Sequence, residues 1–183
     1  MKTIAVLVED IYEDLEVWYP YLRLKEEGFQ TVAVGTGRSK IYKSKHGYEI
    51  PEEMTVKEAA KKSFDAVIVP GGYAPDILRR YPEVNRFVRK MFDDGKVVAS
   101  ICHGAWVLAS AGILKGRTAT CFFAVKDDVI HAGARYVDKE VVVDGNLITA
   151  RKPQDLPAFM KAIIIQLQQR PAGARSRLTD DVI

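Results

Sequence analysis

The sequence predicts an α/β fold in which helices cover both faces of a mostly parallel β-sheet. Continuous apolar runs of strand length lie at residues 3–8, 31–34, 66–69 and 97–100, and such runs are typical of strands that are buried on both faces. Segments with helical spacing separate the runs. This alternation favours a parallel sheet with right-handed crossovers, and ligands in such sheets bind beyond the carboxyl ends of the strands.

The helical segments carry apolar residues three or four positions apart. In the first, Leu15, Trp18 and Leu22 are predicted to face the sheet, and in a later one the spacing runs from Val84 to Met91. A last helix is predicted to open at Pro153, because proline is favoured at the first helical position.

Two stretches depart from the alternation of strand and helix. Residues 38–56 are interpreted as a short hairpin or loop inserted before a helix that begins near Thr55. Residues 136–149 contain two apolar runs separated by Asp-Gly-Asn at 144–146, which is typical of an antiparallel hairpin.

We expect one domain over residues 1–169 and a C-terminal tail over residues 170–183. The 183-residue chain is 48% hydrophobic and 28% charged, which fits a single core. From residue 170 the sequence becomes polar and contains glycine and proline, so the tail is expected to be mobile or docked on a neighbouring subunit.

Charge and composition argue against several classes of partner. Twenty-seven basic and 24 acidic residues give a net charge of +3, which is too mild, and too evenly interspersed, to indicate nucleic-acid binding. The apolar run at residues 3–8 is too short for a signal peptide, and no run approaches the roughly 18 residues of a membrane helix. We therefore expect a soluble, cytoplasmic protein that binds neither nucleic acid nor membrane.

The two cysteines do not indicate a disulfide framework or a zinc site. Cys102 and Cys121 lack a CxxC spacing. The three histidines, His46, His103 and His131, are dispersed without ligand spacing, so no metal site is expected.

The most informative segment surrounds Cys102, where a strand meets a helix. Ser100 and Gly104 stand two positions before and after the cysteine, and small residues there permit the sharp turn of a nucleophile elbow. A helix N-terminus favours the thiolate form. The pattern therefore predicts a reactive Cys102, whereas most isolated cysteines are small buried hydrophobic residues, the role that we assign to Cys121.

His103 is a candidate general base because it directly follows Cys102. On a regular strand, adjacent side chains point to opposite faces, but an elbow can place both in one cleft. The alternative is a solvated or capping histidine.

The other turns at the same sheet edge offer further candidates. The acidic run at residues 9–16 either complements a helix N-terminus or supplies carboxyl groups to the site. Gly71 and Gly72 permit backbone N–H groups to approach a ligand, as in an oxyanion hole, although a tight turn would also use them. Asp76 follows Pro75 at a predicted helix start, where an acidic residue is favoured by the helix dipole.

Six short motifs in one order resemble those of the PfpI/ThiJ family of intracellular proteases and protein deglycases, and the resemblance covers about residues 2–169. The motifs are YEDLE at 12–16, YPY at 19–21 with RLKEEG at 23–28, KHGY at 45–48, VPGG at 69–72, ASICHG at 99–104 and VVVDGN at 141–146. The resemblance implies a flavodoxin-like three-layer α/β sandwich with a nucleophile elbow. It also implies assembly as a dimer, trimer or hexamer, and a site without a cofactor.

The resemblance also implies roles for individual residues. Cys102 is similar to the nucleophile, His103 to its proposed base, and Glu13 to the carboxyl group that hydrogen-bonds the sulfur. The backbone N–H groups of Gly72 and His103 resemble the oxyanion donors, and the neighbouring Gly71 is assigned to the same site.

Three further positions complete the implied site. Asp76 occupies the position of an acid that completes a neighbour's site in hexameric members, which often carry glutamate there. Gly104 belongs to the elbow motif. Trp106 places a bulky aromatic ring near the site, where Ala105 stands in place of the proline found in many members.

The implied activity is that of a cysteine hydrolase acting on carbonyl adducts, as a protein deglycase or a glyoxalase that needs no glutathione. Peptide hydrolysis through an acyl-enzyme is the second form of the same chemistry. The substrate would accordingly be a peptide, a glycated protein or a small aldehyde. The alternative of another class is a redox sensor or chaperone-like stress protein in which Cys102 is oxidised. A glutamine amidotransferase is excluded because no histidine follows His131.

Overall fold

Residues 1–169 are described by the structure, a computed structural model, and they form the predicted three-layer α/β architecture. The strands are β1 (Thr3–Leu7), β2 (Gln30–Gly35), β3 (Ile41–Lys43), β4 (Glu49–Pro51), β5 (Met54–Thr55), β6 (Ala66–Val69), β7 (Val97–Ile101), β8 (Thr118–Ala119), β9 (Arg135–Tyr136), β10 (Val141–Asp144) and β11 (Leu147–Ala150). The helices are α1 (Asp14–Glu26), α2 (Val56–Ala59), α3 (Ala74–Leu78), α4 (Pro82–Asp93), α5 (Ala105–Ser110), α6 (Lys126–His131) and α7 (Leu156–Gln169).

The main sheet has seven strands in the order β10-β11-β7-β6-β1-β2-β5. All neighbouring pairs are parallel except β10 and β11, which form the predicted antiparallel hairpin. Because β7, β6 and β1 are adjacent and parallel, their carboxyl ends meet at one edge. The segments that follow them carry the elbow, the two glycines and the acidic run, so the topology brings the candidate residues together.

Helices cover both faces of the sheet, which explains why its central strands are apolar on both sides. Helices α1 and α7 pack on one face, whereas α2, α4 and α5 pack on the other. Every residue of β6 and β7 is buried.

Helix α1 forms where it is predicted, but its buried face is not the predicted one. Leu15 and Leu22 are each 56% exposed, whereas Val17 and Leu24 are fully buried against the sheet layer. Both sets have helical spacing, so the periodicity alone does not say which face turns inward. The expectation that Leu15 and Leu22 face the sheet is therefore wrong, and α1 presents apolar side chains to solvent.

The departures from the alternation also form as predicted. Strands β3 and β4 make a hairpin, and Thr55 begins α2 with a capping box closed by Glu58. The β10–β11 turn passes through Gly145 with a positive φ of 62°, and a 3₁₀ turn at Pro153–Asp155 leads into α7. The predicted tail over residues 170–183 lies outside the described residues.

Within residues 1–169, no helix is both long enough and apolar enough to cross a membrane.

Truncation of a leucine side chain should lower the free energy of unfolding more on the buried face of α1 than on its exposed face. We expect Leu24→Ala to lower the free energy of unfolding by about 2–4 kcal/mol, because it empties a fully buried site. The matched variant Leu22→Ala should cost less than about 1 kcal/mol, because that side chain is more than half exposed. Denaturant unfolding of both variants measures the difference, and equal costs would contradict the assigned orientation of the helix.

Candidate active site

The elbow turns sharply at Cys102, as the small residues around it predict. Strand β7 ends at Ile101, Cys102 has a φ of 60°, and a 3₁₀ turn runs directly into α5. A Cβ atom at Gly104 would lie 2.5 Å from the carbonyl oxygen of Val69 and 2.7 Å from Oγ of Ser100. A larger residue at 104 would therefore force β6 and the elbow apart, so the role seen for Gly104 is steric.

The sulfur of Cys102 is nearly buried but faces hydrogen-bond donors. The residue is 8% exposed, and the backbone N–H groups of His103 and Gly72 point at the sulfur and lower the pKa of the thiol. Burial acts in the opposite direction and has the larger effect: together with the negative charge of Glu16, it raises the pKa of the thiol well above its usual value. The state of the thiol therefore depends on the state of its carboxyl neighbour.

Glu16 is that neighbour, and it is fully buried at the start of α1. Its Oε2 atom accepts the backbone N–H of Gly71 at 2.7 Å, and the carboxyl group also interacts with the Cys102 thiol. A Cβ atom at Gly71 would lie 2.7 Å from Cβ of Cys102. The absence of a side chain at Gly71 is what lets the carboxyl group and the thiol approach each other.

The buried carboxyl group of Glu16 and the Cys102 thiol influence each other's ionisation. Burial raises the pKa of Glu16 to about 8, and Oε1 of Glu16 has no hydrogen-bond partner within residues 1–169. A buried oxygen without a donor favours the protonated carboxyl. With the proton on Glu16, the negative charge that raises the pKa of the Cys102 thiol is gone, so the thiolate forms more readily than it does beside the carboxylate.

The contact with the sulfur was expected from Glu13, and the structure corrects that expectation. Glu13 precedes α1 in an extended conformation, and its carboxylate forms an ion pair with Lys45. Three residues later, Glu16 lies within the helix and on its buried side. Glu13 thus lies at the mouth of the site, whereas Glu16 lies beneath the sulfur.

His103 shares the site with the thiol. Its Nδ1 atom lies 3.2 Å from Sγ of Cys102, the ring stacks on Phe122 at 5.0 Å between centroids, and its edge meets Trp106 at 5.1 Å. Burial and the charge of Lys45 lower the pKa of His103. The imidazole is therefore neutral at pH 7 and can accept a proton.

The thiol opens into a cleft of about 500 Å³. Within the described part of the chain, the residues that line it are Ile11, Glu13, Lys45, Gly72, Tyr73, Cys102, His103, Trp106, Phe122 and Pro153. Most of the wall is apolar, and its two charged side chains, Glu13 and Lys45, neutralise each other. Such a cleft suits a small uncharged group beside the sulfur.

Two charged residues that do not line the cleft contact the Trp106 side chain. Its Nε1 donates to Oδ2 of Asp128 at 3.2 Å, and the guanidinium of Arg79 lies 5.8 Å from the ring. The structure thus places the predicted bulky aromatic ring beside the imidazole.

Asp76 and Cys121 lie apart from the thiol. Asp76 is not among the described residues that line the cleft, and its carboxylate pairs with Arg80 one turn along the chain. Cys121 is buried beside Tyr136 and Arg151, near a second cavity. Within residues 1–169, no group of three or more histidine, cysteine or carboxylate side chains is arranged to hold a metal ion.

The sequence analysis missed the role of Glu16 although the sequence contains a signal for it. Glu16 lies four residues before Pro20 and eight before Leu24, in line with the buried face of α1. A carboxylate on the apolar stripe of a helix is costly to bury and therefore marks a functional group. Glu16 is recognised as unusual only if the face of α1 that carries Pro20 and Leu24 is taken as the buried one. The spacing of Leu15 and Leu22 favoured a different face of the helix.

Comparison with known proteins places these features in a family. The family model for the DJ-1/PfpI family matches residues 2–166. The deglycase TK1284 of Thermococcus kodakarensis is 45% identical over 161 residues, which are 88% of this chain and 96% of that protein. YraA of Bacillus subtilis, named as a candidate cysteine protease, is 39% identical over 158 residues, or 86% and 94% of the two chains.

A solved structure agrees with the same assignment. A two-domain protein of Anabaena variabilis, with DJ-1/ThiJ/PfpI-like and ferritin-like domains, superposes with a TM-score of 0.89 at 42% identity. The match covers all of this chain and 52% of that one, so the present chain spans about half the length of that protein.

The two acidic residues predict opposite results when the thiol is alkylated. We expect Glu16→Ala to slow the reaction of Cys102 with iodoacetamide at pH 7 by about 10- to 100-fold, because the thiolate loses a charge-assisted hydrogen bond. Glu13→Ala is the matched control and should change the rate less than threefold, because Glu13 pairs with Lys45.

Mass spectrometry of the modified Cys102 peptide gives both rates. Faster alkylation in Glu16→Ala would mean that Glu16 disfavours the thiolate through its negative charge, which would contradict a protonated Glu16 that donates to the sulfur.

Proposed function

The chain belongs to the DJ-1/PfpI family, and from this membership and the geometry of the cleft we propose that it is a cysteine-dependent deglycase. Its substrates would be adducts of α-oxoaldehydes on proteins, together with the free aldehydes. The name of the relative TK1284, 45% identical, supports this reaction.

One observation carries the proposal: the Cys102 sulfur lies between the buried carboxyl group of Glu16 and the ring of His103. The sulfur, a proton acceptor 3.2 Å from it and backbone N–H groups surround one point. These are the groups that addition to a carbonyl carbon requires.

The proposed reaction begins when the thiolate of Cys102 bonds to the aldehyde carbon. The carbonyl π electrons move to oxygen, which is stabilised by the N–H groups of Gly72 and His103 and takes up a proton. On a protein adduct, the thiolate instead attacks the carbon that bears the hydroxyl group, and the bond from that carbon to the nitrogen or sulfur of the modified residue breaks, so that the amine or thiol leaves with a proton. His103 and Glu16 are proposed to supply and accept these protons.

The next steps convert the adduct into a hydroxy acid. A proton leaves the sulfur-bearing carbon and returns to the neighbouring carbon, so that the first is oxidised to a thioester and the second is reduced to an alcohol. Water then cleaves the carbon–sulfur bond. Methylglyoxal and water thus give lactate without any external oxidant or reductant.

Peptide hydrolysis is the second candidate, since the same nucleophile and N–H donors can form an acyl-enzyme. The name of YraA favours it. The redox-sensor alternative is not favoured, because the relatives of about 40–45% identity carry the names of enzymes.

We also propose that copies of the chain assemble so that Asp76 completes a neighbour's site. Two observations support this. Within residues 1–169, Nδ1 of His103 faces the sulfur of Cys102, and Asp76 lies partly exposed on α3, where it pairs with Arg80. An acid is therefore available at the surface, and the imidazole has a nitrogen to receive it. A cytoplasmic location remains a prediction from the sequence.

The first test measures lactate release from methylglyoxal. Cys102→Ser should lower turnover by at least about 1,000-fold because the nucleophile is lost, whereas Cys121→Ser should retain it. An unrelated protein controls for non-enzymatic scavenging. If wild type releases no lactate from methylglyoxal or from a glycated peptide but does cleave peptides, the deglycase proposal fails in favour of peptide hydrolysis.

A mixing experiment tests Asp76. Cys102→Ser and Asp76→Ala should each be weakly active alone, and subunit exchange between them should restore activity, because an intact Cys102 then meets an intact Asp76 from the other subunit. Activity is measured before and after exchange, with size-exclusion light scattering to verify the hybrids. Mixed oligomers without any gain would remove Asp76 from the neighbour's site.

A further inference from the structure

Ile11 shares an uncommon backbone conformation with the nucleophile. Within residues 1–169, Ile11 and Cys102 are the non-glycine residues with positive φ, at 61° and 60°. Both line the same cleft. A branched side chain is strained in this left-handed region, and such strain is retained mainly at functional sites.

Backbone hydrogen bonds hold Ile11 in this conformation. Its N–H donates to the carbonyl of Lys43 at 2.7 Å, and its carbonyl accepts the N–H groups of Tyr73 at 2.8 Å and Ala74 at 3.3 Å. A Cβ atom at Gly72 would lie 2.6 Å from the carbonyl oxygen of Ile11. The backbone is thus fixed from two loops, but glycine would satisfy the same hydrogen bonds with less strain.

Core packing does not account for the isoleucine side chain. Ile11 is 46% exposed, so its burial offsets little of the backbone strain. The side chain lies at the mouth of the cleft, in an apolar wall that also includes Tyr73 and Trp106. Ile11 also borders a neighbouring surface cavity with Ile77 and Arg80, and on the side of the catalytic cleft it offers apolar surface to whatever occupies that cleft.

We propose that Ile11 is a specificity-determining residue. The strained backbone directs its branched side chain to the cleft, where it contacts the alkyl group on the carbon next to the reacting aldehyde carbon of the substrate. The enzyme consequently prefers substrates with an alkyl group on that neighbouring carbon, such as methylglyoxal, over substrates with hydrogen there, such as glyoxal. This inference rests on the proposed carbonyl chemistry of Cys102 and adds a substrate preference to it.

The strain is tested by comparing two substitutions at Ile11. Ile11→Gly should have a Tm about 2–4 °C above that of Ile11→Ala, because only glycine adopts positive φ without cost. At Leu22, exposed in the middle of α1, the order should reverse and alanine should be the more stable. An Ile11→Gly protein less stable than Ile11→Ala would overturn the strained conformation.

The preference is tested with two aldehydes that differ by one methyl group. The ratio of kcat/KM for methylglyoxal to that for glyoxal should fall about 3- to 10-fold in Ile11→Ala, mainly through KM. Leu22→Ala should leave the ratio unchanged. An unchanged or higher ratio in Ile11→Ala would overturn the proposal.

Alkylation of Cys102 separates this proposal from the proposed function. In wild type, N-phenylmaleimide should alkylate Cys102 faster than N-methylmaleimide, because its ring contacts Ile11. This advantage should be lost in Ile11→Ala, whereas the rate with iodoacetamide stays within twofold of wild type. If wild type turns over neither aldehyde, the deglycase proposal fails, and this rate ratio still decides the role of Ile11. If the ratio of the two maleimide rates in Ile11→Ala equals that of wild type, the proposed contact between Ile11 and an apolar group is wrong.

Discussion

The active site depends on one backbone constraint, the left-handed turn at Cys102 where strand β7 ends. The turn points the sulfur back toward the ends of β6 and β1 rather than into the helix that follows. It also lets two backbone N–H groups, from His103 and Gly72, face the sulfur. The close approach of Gly104 to Val69 is what makes so tight a turn possible. A residue with a side chain at position 104 would separate the elbow from its neighbouring strand.

The electrostatics of the cleft follow from where its two carboxyl groups lie. Glu16 is buried and loses its charge more easily than an ordinary glutamate, because water does not stabilise the anion there. Glu13 lines the cleft and forms an ion pair with Lys45. The same helix start therefore supplies a proton donor beneath the sulfur and an ion pair above it. The remaining wall is apolar, which matches a small carbonyl compound better than a charged one.

Hydrogen bonds connect the start of helix α1 to the loop between β3 and β4. Asp14 accepts a hydrogen bond from Oγ of Ser44 at 2.5 Å and lies 2.7 Å from Nδ1 of His46. These contacts fix the loop that carries Lys45. The outer face of α1 exposes Leu15 and Leu22 and so contributes apolar surface.

The sequence by itself determined the alternation of strands and helices along the chain, the mostly parallel sheet and the elbow at Cys102, because continuous apolar runs and small residues at fixed spacing act locally. It also predicted the hairpin at residues 136–149, a hairpin or loop at residues 38–56, and the start of a helix near Thr55. Only the tertiary structure decided which face of α1 is buried, since two apolar stripes with the same period compete and packing against the sheet selects one. That choice also decided that Glu16, rather than Glu13, lies beneath the sulfur. The positions of Ile11 and Lys45 at the cleft were likewise set by contacts between distant segments, which no local pattern encodes.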